Sequence, residues 1–333
     1  MQTKKREVWI DYAKFISIFL VVLFHTNPNL DGYIFDFLKL LRMPAFFLIA
    51  GLLFDINKWN SFIDFFKYRF KRLIVPYFWF SLIFYLFWLI FGRNLVGGDE
   101  LNINIFVPIK EFLLGTPNVV VAPYWFITSL FCMQILFYLL KRLTISNYTI
   151  IILSVFAYLV IIYYDIDNLP WCIDKTMRFM PFFAFANILK SHDNNRFIKQ
   201  MHLIIILTIL SITILIINHK YIVSPYINHL LYIIAGFSIL PMYITFCKLL
   251  ANTFKESNVI KYVGDNNIIT LALQNYIIGF SKIVGIMFFS VNILTTDYYS
   301  VNVLLSLFTI SIAMICAIFI NKYTPFIVGK QNK

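Results

Sequence analysis

Residues 8–25 read VWIDYAKFISIFLVVLFH, and this stretch decides the fold class. At about 1.5 Å of rise per residue, a helix of this length nearly spans a hydrocarbon core of ~30 Å. Lys4, Lys5 and Arg6 precede it, as a secretory signal would require, but Asp11 and Lys14 interrupt the apolar run and no small-residue cleavage site follows. The stretch therefore reads as an uncleaved first membrane span. Working outward, comparable segments recur near 34–54, 74–92, 123–140, 149–164, 176–190, 201–217, 226–247, 266–289 and 301–320. Of the 333 residues 60% are apolar, 19% aromatic and only 13% charged, which excludes an ordinary soluble domain. Neither a flexible linker nor a low-complexity tract separates the segments. The expectation is one domain over residues 1–333, an all-α polytopic integral membrane helical bundle of about ten transmembrane helices.

Residues 59–73 differ from the rest. Phe62, Phe65, Phe66 and Phe70 recur at helical spacing among Asp64, Lys67, Arg69, Lys71 and Arg72, the pattern of an interfacial amphipathic helix. Pro76 is expected to separate this helix from the third span, because proline cannot donate to the helix ladder. Counting Lys and Arg in alternate loops puts nineteen of the twenty-eight on the side of the N-terminus, five opposite and four within spans. Basic residues are retained in the cytoplasm, so both termini are expected there, in a multi-pass protein of the plasma or inner membrane. The net charge of +12 then forms a collar beside anionic lipid, and no nucleic-acid partner is implied. The four cysteines, Cys132, Cys172, Cys247 and Cys316, lack metal-ligand spacing, and no metal site is expected.

Function has to be sought among polar residues that a bilayer tolerates at a cost of ~3 kcal/mol or more apiece unless they are paired. Asp11 and Lys14 share a helix face and can neutralise each other. His25 lies eleven residues beyond Lys14, about 20° past three full turns and roughly 16 Å along the axis, so one face carries a cation low and an imidazole high. A snorkelling lysine and an interfacial histidine at the two ends of an ordinary anchor would give the same pattern. In the second span Asp36, Lys39 and Arg42 follow at three-residue steps, ahead of Met43-Pro44-Ala45-Phe46-Phe47 and the small pair Ala50-Gly51. Arg42 needs a counter-ion or a wet cavity, or else self-neutralisation by Asp36 with snorkelling outward. The small pair reads as close helix packing. Arg69 and Arg72 share a face whose guanidinium forks suit phosphate oxygens or, equally, anionic lipid.

Taken in order along the chain, these residues resemble the acyltransferase 3 family of membrane O-acyltransferases. The family's first span carries an acidic residue, then a basic residue, ten residues and a histidine, similar to Asp11, Lys14 and His25. A Met-Pro-x-Phe-Phe stretch ending in a small residue and glycine resembles Met43 to Gly51. A basic Arg-x-x-Arg segment before proline resembles Arg69 to Arg72 with Pro76. Further on, Trp125-Phe126-Ile127 is similar to the family's Trp-Phe-Leu stretch, and Pro181-Phe182-Phe183 to its Pro-Phe-Phe stretch. Lys14 stands where the family usually has arginine, and Gln274-Asn275 where a late histidine is common.

The resemblance implies transfer of an acyl group, expected to be acetyl, from a cytoplasmic acyl-CoA to a hydroxyl of a cell-surface or lipid-linked carbohydrate. It implies His25 as the catalytic base with Lys14 and Asp11 in support, Arg69 and Arg72 as donor-binding residues, and Arg42, Asp36, Trp125 and Asn275 along the cavity. Acyl-CoA would be the donor substrate rather than a bound cofactor. The expected partners are acyl-CoA, the carbohydrate acceptor, the lipid bilayer and proteins of envelope-polysaccharide biosynthesis. The buried charges also suit a transporter or flippase for a small anion or lipid-linked sugar, and an inactive relative serving as a scaffold is a third reading.

Overall fold

The computed structural model describes residues 7–27, 33–92, 103–116, 122–191, 201–220, 225–289 and 298–330, and every secondary-structure element among them is helical. Helix α1 is Val8–Thr26, α2 Tyr33–Leu52, α3 Phe62–Arg69, α4 Val75–Phe87 and α5 Phe106–Leu114. They are followed by α6 Trp125–Arg142, α7 Asn147–Tyr163, α8 Ile173–Ser191 and α9 Met201–Lys220. Helices α10 Pro225–Phe254, α11 Asn258–Asp265, α12 Asn267–Phe289 and α13 Tyr299–Tyr323 complete the order. Each segment expected to cross the membrane is helical. Five described stretches are long and apolar enough to do so, namely Val8–Thr26, Phe62–Phe91, Ile227–Phe254, Asn267–Gly285 and Tyr299–Tyr323. The protein is therefore an all-α, multi-pass membrane protein.

Several helices begin where a hydroxyl meets an orphan backbone donor. Ser61 accepts from the Asp64 N–H at 3.1 Å and donates to the Asp64 carboxylate at 2.7 Å, so residue and cap fix each other at the start of α3. Ser146 caps α7 in the same way through the Thr149 N–H at 3.1 Å.

The amphipathic segment is present, but it does not end at Pro76. Helix α3 runs into a π-helical turn, Phe70–Ile74, and then directly into α4. The physical reason is the proline itself. Its missing N–H and bulky ring disrupt the α ladder just upstream, and the extra residue of a π turn takes up the mismatch without a break. In this turn the Val75 N–H bonds to the Phe70 carbonyl, five residues back.

The chain divides into two compact units, one comprising residues 1–54 and 182–315, the other residues 55–181 and 316–333. In the first, α1 packs on α2, α10, α11 and α12, while α9 packs on α10 and α2. Close approach depends on glycine. A Cβ on Gly236 would come within 2.8 Å of the Phe182 ring and 3.3 Å of Pro44. At Gly51 it would overlap the Phe183 carbonyl oxygen and approach the Ala186 Cβ to 2.8 Å, so the glycine of the second motif is a packing feature. In the second unit the π turn packs on α6. There the Phe65 ring stacks on Tyr138 at 4.4 Å, and Arg142 donates to both the Tyr138 hydroxyl and the Trp59 carbonyl at 2.9 Å.

Candidate active site

The first unit carries the ionisable residues of the first two spans. Helix α1 is continuous from Val8 to Thr26, so Asp11, Lys14 and His25 are fixed along one rod. Asp11 is buried, whereas Lys14 and His25 are half-buried. Lys14 donates to Asp265 at 3.4 Å, forming an ion pair with the last residue of α11. The neighbouring Gly264 makes room for this, since a Cβ there would come within 3.2 Å of the Lys14 stem. The backbone around Lys14 is held from the other side. Tyr243 of α10 donates to the Ala13 carbonyl at 2.6 Å and shares a 2.9 Å hydrogen bond with the Ser17 hydroxyl.

At the far end of α1, Arg42 of α2 lies close enough to His25 for the two to interact electrostatically. Its guanidinium sits 4.6 Å from the centroid of the Phe24 ring, a cation–π contact with the residue that precedes the histidine. Phe24 is fixed in turn by Phe35 of α2, with ring centroids 4.5 Å apart. Asp36 forms an ion pair with Lys39 at 3.1 Å, one turn along α2. The arrangement brings an imidazole, a positive charge and two aromatic rings together at this end of α1.

The matching of residues 7–322 by a family model described as an acyltransferase domain settles what this set of residues belongs to. The chain is a member of the acyltransferase 3 family. No curated protein and no solved structure matches it. Family membership makes it a membrane acyltransferase, and the side chains can be read in that light.

Of the residues expected to matter in this acyltransferase, the structure groups Asp11, Lys14, His25, Arg42, Asp36 and Asn275 in the first unit. Asn275 is exposed on α12, while its neighbour Gln274 is fully buried. Arg69, Arg72 and Trp125 belong to the second unit. There the guanidinium groups of Arg69 and Arg72 lie 5.4 and 5.8 Å from the centroid of one ring, Tyr68, and Arg69 is also 5.4 Å from Phe65. Trp125 stacks on Phe179 at 6.1 Å, with the Lys175 ammonium 5.9 Å from its ring.

Sequence reasoning missed Gly264, Asp265 and Tyr68. Nothing local marks the first two, and the ion-pair partner of Asp265 lies 251 residues away. Tyr68 did carry a signal, being an aromatic residue directly before an Arg-x-x-Arg pair.

Proposed function

We propose that this membrane acyltransferase moves an acetyl group from cytoplasmic acetyl-CoA to a hydroxyl of a cell-surface or lipid-linked carbohydrate, with His25 as the base. The observation that carries the reading is the half-buried imidazole at the end of α1 with the Arg42 guanidinium beside it. A sugar hydroxyl is a poor nucleophile near neutral pH, and histidine is the side chain suited to take its proton there. The hydroxyl oxygen gains a bond to the acyl carbon, the thioester C–S bond breaks, and the hydroxyl proton ends on the departing coenzyme A thiol. Negative charge that develops on the thioester oxygen is stabilised by a fixed cation, the role assigned to Arg42.

Lys14, held by Asp265, and the buried Asp11 support the helix that carries the base. Arg69 and Arg72 bind the donor's phosphates, for which guanidinium forks are well shaped. The cytoplasmic placement of both termini belongs to the same reading, supported by the basic bias of alternate loops.

The test is mass spectrometry of surface glycans from cells carrying the wild-type chain, the His25→Ala variant or neither. An acetyl-sized increment that needs both the protein and His25 is expected. A glycan left unmodified in wild-type cells, with intact sugar crossing the membrane instead, would replace this reading with transport.

A further inference from the structure

The segment after α13 closes against the residues that lie between the two donor-site arginines. Pro325–Val328 forms a 3-10 turn that ends at Gly329, whose φ of 64° and ψ of 23° are left-handed. Gly329 bears directly on the π turn. A Cβ at this position would overlap the Lys71 carbonyl oxygen, with the Lys71 carbonyl carbon at 2.8 Å and the Arg72 Cα at 3.5 Å. Only an α-hydrogen fits, and it faces the oxygen in the manner of a weak Cα–H···O contact.

The position of this contact follows from Pro76. Within the π turn the Val75 N–H reaches the Phe70 carbonyl. The next bond of that pattern, onto the Lys71 carbonyl, would have to come from residue 76, which has no N–H. The C-terminal turn therefore meets the helix at the carbonyl that the proline cannot serve. The turn is itself anchored: Phe326 packs edge-on against Trp79 with centroids 5.5 Å apart, Pro325 and Val328 are buried, and Lys330 donates to the Asn321 side chain at 2.7 Å.

We propose that the turn Pro325–Gly329 is a positioning element for donor binding, bracing the Lys71–Arg72 backbone so that Arg69 and Arg72 stay gathered about Tyr68. This rests on the reading of the two arginines as the donor-phosphate site. A π turn can relax toward α-helical geometry and rotate one flank by about 100° relative to the other, which would turn both arginines away from their present direction relative to α4. A fixed contact at Lys71 opposes that rotation.

The experiment is equilibrium binding of coenzyme A to the detergent-purified full chain, with melting temperature measured alongside. Gly329→Ala and Gly329→Asn are compared with wild type and with Arg69→Ala. Asparagine tolerates the left-handed conformation far better than alanine, yet both introduce the same Cβ. If the close approach to Lys71 is what matters, both Gly329 variants weaken coenzyme A binding by about tenfold. Binding by Gly329→Asn at the wild-type level would overturn the proposal.

Should the Gly329 variants fold poorly, Phe326→Ala loosens the turn without adding a Cβ. It is expected to weaken binding as well, and unchanged affinity in folded Phe326→Ala protein would also overturn the brace. Weakened binding in Arg69→Ala but not in the turn variants rejects the brace alone. Unchanged binding in Arg69→Ala rejects the donor-site reading, and the brace with it.

Discussion

The Lys14 ammonium and the Asp265 carboxylate meet at 3.4 Å, tying the first membrane helix to the end of a short helix 251 residues later. Both groups keep some solvent access, so the pair itself is worth at most about 1 kcal/mol of stability. In the proposed function its role is to hold Lys14 in place on the helix that carries His25. Lys14→Ala and Asp265→Ala are each expected to lower acyl transfer by about tenfold, and the double variant to fall little further, because coupled residues are not additive. Fully multiplicative losses in a double-mutant cycle would show that the two residues act independently.

Gly51 is expected to tolerate no side chain. A Cβ there meets the Phe183 carbonyl and Ala186, and the Asn187 amide donates to the Gly51 carbonyl at 3.2 Å across the same contact. Gly51→Val should destabilise the protein by about 2–3 kcal/mol, the scale of overpacking in a dense interior. A thermal melt in detergent checks this, and a variant that melts with wild type would mean that the two helices separate without cost.

Pro76→Ala separates stability from donor binding. Alanine restores the backbone donor that proline removes and favours an α-helical path through residues 70–74. The melting temperature is expected to hold or rise, while coenzyme A affinity falls because Arg69 and Arg72 turn relative to α4. Higher stability with undiminished affinity would show that the π turn has no part in presenting the arginines.

The helices could be read from sequence because hydrophobic length is a local property: each apolar segment holds enough residues to declare itself. The amphipathic stretch was legible for the same reason, since Phe62, Phe65, Phe66 and Phe70 repeat at helical spacing. Its junction with α4 was not. Proline announces a disturbed ladder, but whether the chain bends, breaks or absorbs the defect in a π turn depends on what packs against it, here α6 and the distant turn at Gly329. The first-span motif supplied Asp11, Lys14 and His25. The expected neutralisation of Lys14 by Asp11 left out Asp265, because a partner on α11 adds nothing to the local pattern around Lys14.

Arg42 offers the sharpest test of the site around His25. Its planar guanidinium lies 4.6 Å from the Phe24 ring centroid, and lysine would keep the charge while losing the flat group that packs there. If Arg42 only needs to be positive, Arg42→Lys retains near wild-type turnover. If a fixed cation is required beside the base and the developing oxyanion, turnover falls by about a hundredfold, the scale seen when one preorganised donor is removed. The second outcome is expected, because Phe24 is itself locked against Phe35 at 4.5 Å and so holds the guanidinium in one place. Coenzyme A binding to the same variant should be unchanged, since Arg69 and Arg72 are assigned to the donor. Parallel loss of turnover and coenzyme A affinity would instead make Arg42 part of the donor site.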